Sequence, residues 1–347
     1  MIGSLFLCFS LIPLPLLLQE PMIDTNKIFG IKSKLEFEHL TWQIFNFQYN
    51  NNPVYHDFCD YLEKTPDQLE SMEEIPFMPI EFFRTKKVVA SRKNPQITFT
   101  SSGTTDTRTS RHHIIDASLY TKSYRTAFGH FYGDITKYCI LALLPSYLER
   151  EGSSLIYMAK DLIEQSHHPD SGFYLNDMNG LQKKLVRLDA LGSQTLLLGV
   201  SFALMDLVER HTFSLKNTII METGGMKGRR KEVIRKALHS ILKKGFGVSH
   251  IHSEYGMTEL LSQAYSQGNS LFKTPPWMKV LIRDPEDPLS PQMDGKTGGI
   301  NIIDLANIYS CSFIATQDLG KRHSNGSFEV LGRFDHSDIR GCNLMVL

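Results

Sequence analysis

The sequence predicts an α/β protein built on a mainly parallel sheet. Three observations carry this reading. From about residue 95, short β-rich runs alternate with helical patterns, the order that packs helices onto a parallel sheet. Residues 24–85 read instead as mostly helical. After residue 276 the pattern changes to strand and turn, as expected of a small β-rich lobe closing the domain. The 347 residues suffice for one large domain or two modest ones.

Along the chain, residues 1–21 stand apart. Leu5 to Leu18 is strongly apolar, and Pro13 and Pro15 interrupt it. A secretory signal needs a basic start, whereas the first positive charge is Lys27. The run is too short and too broken to span a bilayer as a stable helix. Translation is therefore expected to start at Met22, with residues 1–21 an extension or a disordered apolar segment. A membrane tether is the alternative. Residues 22–94 form the helical N-terminal part. Phe37, Leu40, Ile44, Phe45 and Phe47 make an apolar stripe near helical spacing, ended by Asn50-Asn51-Asn52-Pro53. A second helix runs around Val54 to Lys64, and Pro76 and Pro79 mark a loop.

Residues 95–347 hold the core. Strands are expected at Ile97 to Thr100, Tyr138 to Leu144, Thr195 to Gly199, Thr218 to Met221 and Val248 to His252. Helices are expected at Ser118 to Phe131, Ser153 to Gln165, Asn179 to Ala190, Phe202 to Glu209 and Arg230 to Lys243. The lobe takes Met278 to Arg283, Gly299 to Asp304, Ser312 to Thr316 and Ser327 to Val330.

Composition excludes several functions. Lys and Arg number 37, Asp and Glu 37, so the formal net charge is zero. A general nucleic-acid binder needs a basic surplus. The five cysteines are scattered and odd in number, without metal-ligand spacing, which suits a reducing cytoplasm. There is no Gly-x-x-x-x-Gly-Lys-Ser/Thr loop and no Gly-x-Ser-x-Gly elbow. His112-His113 and His167-His168 are adjacent pairs that point apart, and are expected to be surface residues rather than zinc ligands.

The chemistry lies in five segments. Thr100, Ser101, Ser102, Gly103, Thr104 and Thr105 put five hydroxyls and a glycine at the carboxyl end of a strand. Ligands favour that end of an α/β sheet, and such a loop can cradle a triphosphate. A solvated Ser/Thr turn explains the segment as well. Arg108 and Arg111 follow as possible positive charge. In Tyr255-Gly256-Met257-Thr258-Glu259, Glu259 is a candidate Mg²⁺ ligand, Thr258 a phosphate donor and Tyr255 a base-stacking ring. The plainer reading is a helix start with polar surface. Gly224-Gly225 lets a flat ligand approach the backbone, and Lys227, Arg229 and Arg230 follow. Asp318, in Thr316-Gln317-Asp318, can accept both hydroxyls of a ribose, although such an aspartate is usually an Asx-turn. Gly332-Arg333-Phe334-Asp335 is the fifth.

In this order and spacing the segments resemble the adenylate-forming superfamily, which includes acyl-CoA synthetases and luciferases. Phe99 to Thr105 resembles its Thr-Ser-Gly-Thr-Thr phosphate loop. Gly224-Gly225 resembles its adenine-contacting glycines, and Tyr255 to Glu259 its Tyr-Gly-x-Thr-Glu motif. Thr316-Gln317-Asp318 resembles Thr-Gly-Asp with Gln317 replacing glycine. Gly332 to Asp335 resembles the Gly-Arg-x-Asp hinge. The likeness covers roughly residues 95–341. Two departures narrow it: Asp106 to Arg111 replaces the usual Gly-x-Pro-Lys continuation, and the chain stops six residues after Gly341. The superfamily's C-terminal lid, with its lysine, is therefore expected to be absent.

Among such proteins the chain resembles the LuxE-type acyl-protein synthetases, the long-chain fatty acid–protein ligases. Leu144 to Leu155 and Arg340 to Val346 carry this closer likeness. It implies ATP-dependent activation of a fatty or other carboxylic acid to acyl-AMP, with Mg²⁺. It also implies transfer of the acyl group to a thiol, with Cys342 at the place of the family's acylated cysteine. The implied partner is an acyl-accepting protein, a reductase or a carrier protein. The implied roles are the pyrophosphate cradle for Ser101 to Thr105, the cation for Glu259 and the ribose for Asp318 and Arg333. An acyl- or aryl-CoA ligase and a non-catalytic nucleotide-binding module are the alternatives. By residue chemistry alone, Cys342 is a small apolar residue between Gly341 and the terminal Leu344 and Val346.

Overall fold

After a short helix α1 (Thr25–Phe29), Ser33 starts the long helix α2 (Lys34–Asn51). Its hydroxyl accepts from Glu36 N, while the Glu36 carboxylate accepts from Ser33 N, a reciprocal capping box. Phe37, Leu40, Thr41, Ile44, Phe45 and Gln48 form the buried stripe, repeating at helical spacing. Asn52 ends α2 and caps α3 (Pro53–Tyr61), its Oδ1 accepting from Val54 N and Tyr55 N. Strand β1 (Met78–Pro79) and helix α4 (Phe82–Thr85) follow. The computed structural model describes residues 23–101, 109–144, 152–175, 177–224 and 233–334.

Strands β2 (Ile97–Thr100) and β3 (Arg111–Ile114) pair antiparallel as a separate two-stranded unit. The α/β alternation then runs through α5 (Ala117–Tyr132), β4 (Cys139–Leu143), α6 (Ser154–Ser166), β5 (Gly172–Phe173), α7 (Met178–Ala190), β6 (Thr195–Val200), α8 (Ser201–Arg210), β7 (Thr218–Thr223), α9 (Arg235–Phe246), β8 (His252–Tyr255) and β9 (Ala264–Ser266). These strands form one six-stranded sheet in the order β5-β4-β6-β7-β8-β9. All neighbours are parallel except β8 and β9. Every residue of β4 and β6 is buried, as strands covered on both faces require. The expected mainly parallel sheet is thus present.

The last strands, β10 (Met278–Arg283), β11 (Thr297–Asp304), β12 (Phe313–Arg322) and β13 (Phe328–Arg333), form the β-rich lobe. They pair antiparallel, and β1 joins the edge of β12 in parallel. The helical N-terminal segment packs directly on this lobe. Phe45 meets the Phe313 ring edge-on at 5.8 Å. The buried Gln48 amide donates to Asn307 O, Ile308 O and Ser312 Oγ and accepts from Ser312 N. No helix among the described residues is long and apolar enough to cross a membrane.

Three expectations are corrected. The strand placed at Val248 to His252 begins at His252. Gly247, at φ +71°, closes α9 in the left-handed region, and the chain needs several more residues before it pairs with β7. Asp318 stands within a strand, because β12 continues to Arg322 through pairing with β11 and β13. His112 is fully buried rather than a surface residue. Along β3 the side chains alternate, with Arg111 exposed, His112 buried and Ile114 buried. His167 is exposed, as expected.

Candidate active site

The site segments sit where β2, β7 and β8 end, joined by Asp318 and Arg333 from the lobe. The stem of the Ser/Thr-rich loop is fixed first. Ser101 N donates to Ser110 O at 3.1 Å, and Ser110 N donates to Ser101 Oγ at 3.0 Å. Thr100 N donates to Gly152 O at 2.8 Å, tying the stem to the start of α6. Gly152 needs no side chain there. Its φ is +84°, and a Cβ would lie 3.0 Å from Thr98 O. Ser102, Gly103, Thr104 and Thr105, with Arg108, lie outside the described residues. Arg111 lies exposed on β3.

Contacts link the other segments to this stem in sequence. Glu259, 5% exposed, lies beside the Ser110 hydroxyl, which favours its ionised form. Burial raises its carboxyl above the ordinary range, while Ser110 and the charges of Arg84 and Arg333 act against that rise. Thr258 is half-buried beside it. At Gly256 a Cβ would lie 2.4 Å from Glu254 Oε1, so a larger residue there would displace the Glu254 carboxylate. Tyr255 is buried, and its hydroxyl donates to Asp318 Oδ2 at 2.8 Å. Its ring meets Phe272 and Phe328 edge-on, which leaves little free face for a base. Burial and the Asp318 carboxylate hold the Tyr255 hydroxyl well above the usual phenol range. Asp318 lies opposite Arg333 in the β12–β13 register, with Nε to Oδ1 at 3.4 Å. The Arg333 side chain is 80% exposed, so it is free to meet a ligand.

The glycine segment is anchored from below. Glu222, on β7, is 3% exposed and pairs with Arg235 at 2.6 Å. Burial pushes its carboxyl up, but Arg235 and His239 outweigh burial and hold it below the ordinary value. The Ser201 hydroxyl lies 3.0 Å from Glu222 Oε2 and 2.7 Å from Gly224 O. Gly224 turns the chain at φ +64°. Thr223 donates to Glu254, joining this strand end to the neighbouring one. Gly225, Lys227, Arg229 and Arg230 lie outside the described residues, as do Asp335 and Cys342.

Several residues of the site escaped the sequence reading. Asp304, fully buried, accepts from Leu261 N, Ser262 N, Ser262 Oγ and Ala306 N. It thereby fixes the chain just after Glu259. Burial raises its carboxyl to about 6. Asn307 Nδ2 donates to the Glu259 carbonyl at 2.8 Å. His112 Nδ1 lies 2.8 Å from Thr258 O, an oxygen that only accepts, so that nitrogen carries a proton. Burial pushes the imidazole down to about 4. For His112 the strand alternation of Arg111 to Ile114 was an available signal; for Asp304 and Asn307 there was none.

Glu259 suits a hard divalent cation. It is a desolvated carboxylate beside the loop stem, and among the described residues no Lys or Arg reaches it at ion-pair distance. No group of three or more His, Cys, Asp or Glu could hold a metal among the described residues. One carboxylate completed by phosphate oxygens and water is the set that Mg²⁺ prefers.

No family model matches the chain. It is 24% identical over 334 residues to the long-chain-fatty-acid–luciferin-component ligase of Aliivibrio fischeri, covering 88% of this chain and 86% of that protein. Among solved structures it is similar to ATP-bound MatB from Rhodopseudomonas palustris, with a TM-score of 0.52 and 18% identity over 68% of this chain. The chain spans about half of MatB's length, 47%. It is also similar to an open conformation of 2-hydroxyisobutyryl-CoA ligase in complex with 2-HIB-AMP and CoA. There the TM-score is 0.64 and the identity 11%, over 87% of this chain and 70% of that one. The fold is that of the N-terminal part of adenylate-forming ligases, as the motifs implied, and the curated relative is of the ligase type they resemble.

Proposed function

We propose that this chain, with the fold of an adenylate-forming ligase, uses ATP to activate a fatty or other carboxylic acid and passes the acyl group to a protein thiol. The observation that carries this reading is the placing of the buried Glu259 beside the loop stem at Ser110 and, a few residues earlier, the bond from Tyr255 to Asp318, itself paired with Arg333. These contacts join the loop stem and the Tyr255 to Glu259 segment to Asp318 and Arg333, and Thr223 ties the start of the glycine segment to Glu254. The ATP-bound neighbour and the fatty-acid ligase relative support the same chemistry.

The acid's carboxylate oxygen bonds to the α-phosphorus of ATP, and the bond to the β-phosphate oxygen breaks, giving acyl-AMP and pyrophosphate. A carboxylate is a weak nucleophile, so positioning and charge neutralisation supply most of the rate. Thr100, Ser101 and the loop Ser102 to Thr105 hold the phosphates, with Gly103 allowing close approach. Glu259 would hold Mg²⁺, which when bound neutralises phosphate charge. Asp318, held by Tyr255, accepts the ribose hydroxyls beside Arg333, while Gly224 and Gly225 lie along the adenine. Thr258 donates to the α-phosphate. In the second step a thiolate attacks the acyl carbonyl, a C–S bond forms, the C–O bond to phosphate breaks and AMP leaves. Cys342 is the candidate thiol, ahead of a reductase or carrier protein. The reading sets the reaction in the cytoplasm, where the buried thiols of Cys59, Cys139 and Cys311 stay reduced.

ATP–pyrophosphate exchange across a panel of carboxylic acids tests the first step. The wild type is expected to exchange with at least one long-chain acid. Asp318→Ala is expected to raise the KM for ATP about tenfold to a hundredfold, the value of charged hydrogen bonds to the ribose. Unchanged affinity in this variant would remove Asp318 from the nucleotide site.

The CoA-ligase neighbours favour one rival, in which coenzyme A takes the acyl group. The two readings part when ATP and the acid are supplied with and without CoA. Acyl-protein synthesis gives CoA-independent AMP release and a hydroxylamine-labile adduct on Cys342 by mass spectrometry. Strictly CoA-dependent release with an unmodified Cys342 selects the rival.

A further inference from the structure

One buried polar unit beneath the site has no part in the chemistry above. His112 lies on β3, the strand by which the chain leaves the phosphate loop. Its imidazole is fully buried, with Phe83 edge-on at 5.4 Å. Nδ1 meets Thr258 O at 2.8 Å, and Nε2 meets Asn307 Oδ1 at 3.0 Å. The Asn307 amide is oriented by its other end, because Nδ2 donates to Glu259 O at 2.8 Å and to Cys311 O at 2.9 Å. Rotating the amide would set its oxygen against two carbonyls. The carbonyls of Thr258 and Glu259 are thus both held by side chains from other elements, one of them anchored in the exit strand of the phosphate loop.

We propose that His112, acting with Asn307, is a positioning residue that locks the Thr258–Glu259 backbone to the exit strand of the phosphate loop. This rests on the adenylation reading, since it assigns Thr258 and Glu259 to the phosphates and their cation. Two polypeptide segments must present donors and a carboxylate to one triphosphate, and they approach it from different sheets. A fixed spacing between them is what positioning requires, and a shift of about 1 Å in such a pair costs up to roughly a hundredfold in rate. In the neutral ring one nitrogen carries the proton, and on Nδ1 it supplies the Thr258 bond, so Nε2 and Asn307 Oδ1 are packed together without a hydrogen bond while Asn307 holds Glu259 through Nδ2. An exposed histidine pair would serve no such end, whereas the inward residue of an alternating strand is rigidly placed.

The test compares His112→Leu with His112→Asn, whose amide can offer a donor near the place of Nδ1. In pyrophosphate exchange, H112L is expected to lose about tenfold or more in kcat, with the KM for the acid within about twofold, and H112N to recover most of the loss. Equal kcat in wild type and a folded H112L, or equal losses in H112L and H112N, overturns the proposal. If H112L does not fold, Asn307→Ser supplies the comparison, with the same split expected between kcat and the KM for the acid. If the wild type exchanges with no acid, the adenylation reading fails. Amide hydrogen exchange then decides the positioning separately, with lost protection from Thr258 to Leu261 expected in H112L and retained protection rejecting it.

Discussion

Glu259→Gln is expected to lower pyrophosphate exchange by about a hundredfold to a thousandfold, the scale set by removing one preorganised charge-stabilising group. Glutamine keeps the shape of the side chain, so the loss isolates the negative charge. The same substitution is expected to leave the protein as stable at pH 7, or more so. Burial raises the folded-state value of Glu259 above that of the unfolded chain. The folded state then binds the proton more tightly, and stability falls as pH rises through the interval between the two values. At pH 7 the ionised, desolvated carboxylate is the costly form, and glutamine removes that cost. Activity has the opposite sign, because it needs the ionised form and declines as pH falls toward the raised value. Calorimetry at pH 7 beside exchange assays checks both halves. A variant with more than half of the wild-type exchange rate would exclude Glu259 from the phosphate chemistry.

Asp304→Ala is expected to destabilise the fold by about 3–5 kcal/mol, because several buried donors are left unsatisfied at about 1–3 kcal/mol each, offset by removal of a desolvated carboxylate. Four donors lose their acceptor at once, and three of them are backbone N–H groups, of the buried Leu261, Ser262 and Ala306. Urea unfolding should show the loss as a lower midpoint with an unchanged slope. Its pH dependence carries a signature. Burial places the Asp304 carboxyl at about 6, above an unfolded aspartate, despite the donors that favour its ionised form. Wild-type stability should therefore fall as pH rises from about 4 to 6. The slope contributed by this group should vanish in the variant. A loss below about 1 kcal/mol would mean that the loop after Glu259 finds other acceptors.

What was legible in the sequence follows what local chemistry determines. The parallel sheet could be read because β4, β6 and β7 are apolar runs separated by amphipathic helices. The helices α5 to α8 were placed to within a residue or two, since their caps and stripes are local. Strand β8 was shifted because apolar content near Val248 suggested a strand, while pairing begins only at His252. The error mattered, for it hid that Glu254 and Tyr255 are strand residues facing the interior. Asp318 was read as a turn because Gln317-Asp318-Leu319-Gly320 has little strand character. Pairing with Gly332 and Arg333 overrides that local preference. Asn307 and His112 lie 195 residues apart, and no local pattern announces their contact.

The union of Gln48 with Ser312 has a consequence for biosynthesis. The two are separated by 264 residues, so α2 leaves the ribosome long before the lobe that covers it exists. At roughly 5–20 residues per second, the delay is about 13 to 53 seconds. Phe37, Leu40, Ile44 and Phe45 lack their cover from the lobe for that time, although Tyr55 of the next helix can already pack on Phe45. This stripe is secured against the lobe only as translation ends.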